Sequence, residues 1–272
     1  IAKEIVDLLP TAEYFVDLFC GGCAITHAAM LSGKYKRLII NDIAPDMPRL
    51  FVDAINGKYR NEKRWISRED FFRLKDSDVF VKYVWSFGNC GYNYMYGRKI
   101  EAWKKALHYA RVLGDFSLLK RDFGIVTDDA SRQNIRLNAE KWGLIDKLKC
   151  SMEGLQVLQS LESLESLERL ERLERLERLQ SNLQVFFSDY QSVEIPDDSC
   201  VYCDPPYKGT AEYKYGGLDY LRFYDWLRTR DFPVYVSEYA MPEDFVAVWQ
   251  KTKRCTFSSR NNAKYTVERV FV

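Results

Sequence analysis

The chain reads as an α/β domain interrupted by a helical insertion, and three observations predict this class. Residues Phe15 to Ile40 pass from a strand pattern to a helix pattern and back, the βαβ signature of a parallel pair. A second apolar run, Cys200-Val201-Tyr202-Cys203, reads as a buried strand that stops at Asp204-Pro205-Pro206-Tyr207. Helix and strand patterns then alternate to the C-terminus, whereas residues 53–150 are helical, aromatic and basic with no clear strand alternation.

Taken in order, Phe15-Val16-Asp17-Leu18 is the first strand, Phe19 to Gly22 a turn and Ala24 to Ser32 a helix. Arg37-Leu38-Ile39-Ile40 is the second strand and ends at Asn41-Asp42. Beyond Asp204 the pattern predicts a helix over Leu221–Arg230, a strand over Pro233–Ser237 and a helix over Asp244–Lys251. Two last strands are expected through Thr256-Phe257 and Val267–Val272. The expected divisions are an α/β domain from 1–52 and 183–272, a helical insertion at 53–150, and a tandem-repeat helix at 151–182.

That repeat places leucine at every third position from Leu155 to Leu179, with Glu and Ser or Arg between. A three-residue step turns an α-helix by about 300°, so the leucines would wind backward around it by about 60° each time. A 3₁₀-helix, with about 3.0 residues per turn, stacks them on one face but sets the glutamates in a like-charged row. An α-helix gains Glu→Arg pairs four apart, such as Glu168–Arg172, each worth about 0.3 kcal/mol. The segment is expected to be helical, α or 3₁₀, with a spacer or self-association role rather than a catalytic one. Triplet slippage that merely changes its length is the plainer origin.

The 272 residues, 47% hydrophobic and 15% aromatic, suffice for one domain with a substantial insertion. No stretch approaches bilayer length and no secretory signal is visible, so a membrane protein is not expected. The first residue is Ile1, so the natural N-terminus is expected to lie upstream. Net charge is +1, but Lys58 to Arg121 holds 15 Lys/Arg against 7 Asp/Glu. A smaller basic run comprises Lys251, Lys253, Arg254, Arg260 and Lys264. Such clusters are either solvated faces or phosphate-contacting surfaces. Two C-x-x-C pairs among the seven cysteines, Cys20/Cys23 and Cys200/Cys203, have zinc-like spacing. Zinc pairs usually sit on tight knuckles rather than strand ends, so reduced, buried cysteines of a cytosolic protein are the simpler reading, and no metal is expected. His27 and His108 are the only histidines, and neither has acidic neighbours in sequence. Both read as structural.

Chemistry concentrates at Asp204-Pro205-Pro206-Tyr207. Ligands of open α/β sheets bind beyond the carboxyl ends of strands, where this tetrapeptide falls. Its prolines fix φ and carry no N–H, so it offers a carboxylate, a backbone acceptor and an aromatic face. That combination suits a planar base with an exocyclic amino group. Phe19-Cys20-Gly21-Gly22-Cys23 links a strand to a helix, and its glycines permit close approach of a ligand to backbone. It lacks the full G-x-G-x-x-G pattern, which disfavours a pyrophosphate. Asp42, ending the second strand, is placed to accept hydrogen bonds from a ribose. A ligand with a ribose and no diphosphate fits S-adenosylmethionine.

Asp17-Leu18-Phe19-Cys20-Gly21-Gly22, then Asn41-Asp42, a long insertion and Asp204-Pro205-Pro206-Tyr207 together resemble the amino-methyltransferases of DNA. Their order is similar to the alpha group that contains the Dam-type adenine methylases. Ser86-Phe87-Gly88-Asn89 with Tyr92-Asn93, Ser188-Asp189-Tyr190 and Ser237-Glu238-Tyr239 are further similar pieces, so the resemblance covers most of the chain outside the repeat. It implies a Rossmann-like S-adenosylmethionine-dependent methyltransferase sheet in a cytoplasmic, bacterial or phage-encoded enzyme. Asp17, Phe19, Cys20 and Gly21 would line the S-adenosylmethionine pocket, Asp42 would hold the ribose, and Asp189 and Tyr190 would flank the adenine. Asp204 and the carbonyl of Pro205, with Pro206 beside it, would accept from the target amine, and Tyr207 would stack on the flipped base. The insertion would bind double-stranded DNA through Asn89, Tyr92, Asn93, Arg98 and Lys99, with Arg260 near the C-terminus. Tyr92, Tyr94 and Tyr96 would either fill the gap left by the base or pack a core. The family also opens with a Gly-Lys motif, of which Lys3 is the only remnant expected here.

The residues leave alternatives. An exocyclic amine needs acceptors to localise its lone pair whether it belongs to adenine or cytosine, so N4-cytosine methylation stands beside N6-adenine methylation. The Asp at the head of the tetrapeptide favours adenine, and the absence of a Pro-Cys dipeptide argues against cytosine-C5 chemistry. RNA is a weaker substrate alternative. A non-catalytic DNA-binding or assembly protein using the repeat is the alternative of another class.

Overall fold

The computed structural model describes residues 1–128, 182–207, 217–254 and 265–272. The chain forms two compact units, Ile1–Lys58 with Arg169–Val272 and Tyr59–Glu168, each considered over its described residues. The leucine repeat, the rest of the expected insertion from 129 to 150, Arg260 and the strand expected at Thr256-Phe257 lie outside the described residues.

The first unit is built on strands β1 (Tyr14–Asp17), β2 (Arg37–Asn41), β3 (Leu183–Phe186), β4 (Ser199–Cys203), β5 (Val234–Glu238), β6 (Ala247–Arg254) and β7 (Tyr265–Phe271). They pair in the order β3-β2-β1-β4-β5-β7-β6, with β7 antiparallel to both neighbours and the other pairs parallel. Period-2 alternation fills both faces of the sheet. Phe15, Leu38, Cys200 and Tyr202 pack on one side against Ile5, Val6, Leu9, Ile25, Ala29 and Met30. These last belong to the loop and helices α1 (Ala2–Leu8) and α2 (Ala24–Ser32). Val16, Ile39, Val201 and Cys203 pack on the other side against Phe223, Tyr224, Trp226 and Leu227. The cysteines of the Cys200/Cys203 pair therefore enter different cores, and neither faces the other.

Local chemistry explains the helix ends. Cys23 caps α2 in the left-handed region at φ 58, and Gly33 ends it at φ 73. The α3 helix (Asp46–Ile55) follows β2 in the same unit. Asp219 caps the helix Tyr220–Arg228 by accepting from the Arg222 N–H, and its apolar residues fall three and four apart. Lys3, on the exposed face of α1, pairs with Asp7.

One expected element is corrected. Asp244–Lys251 is not a helix: Phe245 N–H closes a turn on Pro242, and Ala247–Arg254 is a strand paired along β7 with a bulge between Ala247 and Trp249. Val246, Val248, Trp249 and Thr252 are β-branched or aromatic, and eight residues of ladder outweigh the weak helical period.

The second unit holds α4 (Arg68–Leu74), α5 (Val79–Val84), α6 (Arg98–His108) and α7 (Ser117–Phe123), so the helix Tyr220–Arg228 is α8. Ser67 and Asp78 cap α4 and α5 with their side chains. Ile66, Phe71, Val81, Trp85 and Tyr94 form one apolar core, and Trp103, Ala106, Ala110, Leu119 and Ile125 another.

Back in the first unit, Asn41 joins three chain segments at the ends of β1 and β2. Its Nδ2 donates to the carbonyls of Leu18 at 3.1 Å and Ser188 at 3.0 Å, and its Oδ1 accepts from the Ser188 N–H at 3.0 Å. The side chain is 1% exposed, so its removal strands buried partners. Asn41→Ala should cost about 2–4 kcal/mol of unfolding free energy, measured by denaturant titration. A loss below about 1 kcal/mol would show that water replaces the amide.

Candidate functional site

Strand order reverses between β1 and β4, because β1 continues to β2 on one side while β4 and β5 extend to the other. Chain leaving the carboxyl ends of these two strands diverges there and opens a crevice. Asp17 is level with Tyr202 in the register, and Leu18 N–H donates to the Tyr202 carbonyl at 3.0 Å. The segments after Asp17 and after Cys203 thus emerge side by side.

A cavity of about 260 Å³ lies at this edge. Phe19, Gly21, Asp42, Asp189, Tyr190, Asp204 and Pro206 line it, so seven of the sequence-selected residues come together there. Asp17, Cys20, Pro205 and Tyr207 do not line it. Asp17 and Cys20 are buried beneath, and Cys20 packs with Cys23 and Ile40. The sequence reading missed Ile43, Ala44, Leu218, Asp219 and Arg222, and gave no role to Ser188, all of which also form the wall. Only Asp219 carried a local signal, as a helix cap ahead of an apolar period.

The glycine turn is shaped by its own bonds. Cys23 N–H reaches the Cys20 carbonyl at 2.6 Å, and Gly21 adopts φ +46, a conformation that side chains resist. Asp42 is clamped by two backbone donors, Gly21 N–H and Ala44 N–H, each at 2.8 Å. Burial raises the pKa of its carboxyl above the usual carboxylate range, opposed by these donors. Each carboxylate oxygen keeps a further lone pair, so Asp42 can still accept hydroxyl groups. On the far wall Asp189 accepts from Gln191 N–H at 2.9 Å and pairs with Arg222 at 3.3 Å. Tyr190 packs against Phe19, Phe223 and Trp226 at ring distances of 5.2–5.4 Å, so it supports the wall from within the core.

Four carboxylates, Asp42, Asp189, Asp204 and Asp219, face the cavity against one guanidinium, Arg222. A fifth lies just below. Asp17 is 1% exposed, its Oδ2 accepts from Thr26 Oγ1 at 2.6 Å, and its Oδ1 has no hydrogen-bond partner. Burial pushes this carboxyl up to about 7, with Asp204 and Asp42 adding to the rise and Thr26 opposing it. An anionic ligand such as a diphosphate would be repelled here, whereas a cationic one would relieve the crowding of like charge.

The Asp204–Tyr207 loop is held from two sides. Tyr220 of α8 donates its hydroxyl to the Pro206 carbonyl. Tyr207 donates its hydroxyl to Glu268 Oε2 at 2.9 Å and sets its ring edge-to-face with Tyr239 at 4.6 Å.

In the second unit, Asn89, Tyr92, Asn93, Arg98 and Lys99 are all exposed. A turn organises them: Ser86 bridges Tyr94, Phe87 N–H donates to the Asn93 carbonyl, and Gly91 N–H donates to Ser86 Oγ at 2.9 Å. Phe87 and Tyr92 are 56% and 68% exposed on this turn. Arg98 and Lys99 open α6 beside it. Tyr94 is buried and donates to the Ile66 carbonyl, and Tyr96 stacks on Trp65, so both pack the core. His108 donates from Nε2 to the Lys63 carbonyl at 2.8 Å and packs on Trp65 and Trp85.

The mostly parallel seven-strand sheet with flanking helices is consistent with a Rossmann-like methyltransferase. The family model of the D12 class N6 adenine-specific DNA methyltransferases matches residues 1–119. That family is one of enzymes, and the match is consistent with a Dam-like adenine methyltransferase and points to N6 methylation of adenine in DNA. The matched stretch takes in the glycine turn, Asp42 and the 86–99 segment, and the Asp204–Tyr207 loop lies beyond it. Among curated proteins none matches the chain. No helix of the described residues is long and apolar enough to cross a membrane.

The buried Asp17 gives a pH signature. Its folded value near 7 exceeds the ordinary 3.8, so the folded protein binds the extra proton between these values and its stability falls as pH rises through that window. Asp17→Asn should remove the fall and gain about 4 kcal/mol over the parent at pH 8, with little difference at pH 4. Parallel pH–stability curves for the two proteins would rule this out.

Proposed function

We propose that the protein transfers the methyl group of S-adenosylmethionine to the N6 amino group of adenine in double-stranded DNA at a specific short sequence. The acidic cavity at the switch point carries this reading. S-Adenosylmethionine brings a sulfonium and an ammonium, and the carboxylates of Asp42, Asp189, Asp204 and Asp219 around the cavity suit a cation bearing N–H donors. Asp42 would take the ribose hydroxyls, and Phe19, Ile43 and Leu218 offer apolar contact for the purine. Asp189, fixed by Arg222, is available to its exocyclic amine.

When bound, the cofactor supplies an electrophilic methyl on sulfur. The residues of the chain must then make a poor nucleophile attack it. The lone pair of a purine amino group is delocalised into the ring. Asp204 and the Pro205 carbonyl, accepting from its two N–H bonds, would favour a pyramidal nitrogen whose lone pair points at the methyl group. The prolines hold these acceptors in place before the base arrives, which is the proximity contribution to catalysis. Tyr207 would stack on the adenine after it leaves the duplex, offsetting the few kcal/mol of unstacking. The second unit, with its basic excess and exposed Tyr92, Asn93, Arg98 and Lys99, would hold the DNA.

Methyl transfer from labelled S-adenosylmethionine to unmethylated DNA, with nucleosides resolved by mass, tests this. N6-methyladenine is expected from the parent, and Asp204→Ala should lower the rate by about 10³-fold while leaving cofactor affinity within about threefold. N4-methylcytosine would move the base assignment, and no product alongside retained cofactor binding would overturn the enzyme reading. Arg98→Ala should weaken DNA binding across all sequences and reduce the slope of log K against log salt by about 1. An unchanged salt slope would remove Arg98 from the phosphate contacts.

A further inference from the structure

Glu268 has no place in the sequence reading, yet it is among the few buried acids of the described residues, at 7% exposed. It lies on β7 next to Arg269, which is paired with Glu238 of β5, so the antiparallel register brings Glu268 alongside Tyr239. Its Oε2 accepts from the Tyr207 hydroxyl at 2.9 Å. Burial pushes the Tyr207 phenol far up, and the Asp204 and Glu268 carboxylates push it further, so the hydroxyl stays a donor at any working pH.

The backbone needs no such help. Pro205 and Pro206 fix φ up to the residue before Tyr207, and Tyr220 secures the Pro206 carbonyl. The side-chain torsions of Tyr207 are the soft coordinates left in the tetrapeptide. A charge-assisted bond at the far end of the ring, with Tyr239 edge-to-face against it, restrains both.

We infer that Glu268 is a positioning residue for methyl transfer: through the Tyr207 hydroxyl it fixes the plane of the ring on which the target base stacks. The inference rests on the proposed methyl transfer and on the role given there to Tyr207. Glu268 touches neither base nor cofactor, and the proposed effect on methyl transfer passes through the phenol. Its effect should therefore vanish once that hydroxyl is gone.

A double-mutant cycle on methyl transfer to unmethylated mixed-sequence DNA tests this. Glu268→Ala and Tyr207→Phe should each lower kcat about tenfold, with KM for S-adenosylmethionine within about twofold of the parent. The double variant should be no slower than either single one, and Glu268→Gln, which keeps an acceptor, should recover most of the rate. Wild-type kcat in Glu268→Ala, or losses that multiply in the double variant, would overturn the inference. If Glu268→Ala does not fold, Tyr207→Phe decides: a tenfold loss supports the inference and an unchanged rate overturns it. A parent protein that makes no methylated base overturns the underlying reading, and the inference with it. An active parent with an indifferent Glu268→Ala overturns the inference alone.

Discussion

The site hangs on the buried amide of Asn41. At the end of β2 it holds the Leu18 carbonyl, where β1 turns toward the cavity, and both backbone groups of Ser188, where the chain turns into the opposite wall. An amide is suited to this because it donates and accepts without charge, and a carboxylate could not donate to the two carbonyls. Asp42, the next residue, then projects toward Gly21 and Ala44. The glycine turn, the expected ribose acceptor and the Asp189 wall are therefore referenced to one side chain rather than to three independent loops.

Around that anchor the fold accumulates negative charge. Strand ends and a helix cap bring Asp42, Asp204 and Asp219 to one cavity above Asp17, whose carboxyl is raised first by burial and further by Asp204 and Asp42. Stability alone would select against such crowding. Its persistence beside an unpartnered carboxylate oxygen is the kind of local cost that functional sites carry.

How much of this was readable beforehand depends on where each signal resides. The β1, α2, β2 and β4 elements were legible because buried parallel strands are continuous apolar runs, and Asp204 follows such a run directly. By contrast, β3 escaped notice: Leu183-Gln184-Val185-Phe186 is short, flanked by the repeat and half exposed. The misreading of 244–251 as a helix has the same root, since β6 is an edge strand whose identity comes from its pairing with β7. Within the site, the residues on the ends of strands were found, and those delivered from elsewhere were not. Arg222 sits on α8 and Glu268 on β7, and only the folded chain brings them to Asp189 and Tyr207. Tyr94 shows the reverse limit, because its spacing with Tyr92 and Tyr96 cannot say that it turns inward to Ile66.

The placement of the second unit between β2 and β3 has a kinetic side. Ser188 meets Asn41 across 147 residues of chain, and β4 meets β1 across a longer span still. Closing loops of that length is slow, although each doubling adds only about 0.6 kcal/mol to the cost. During synthesis the opening βαβ segment therefore waits with both strand edges unpaired until most of the polypeptide has emerged. The helices α4 to α7 can form in the meantime. The sheet begun by β1 and β2 is thus completed only by strands that follow the second unit in sequence, and the cavity needs both parts.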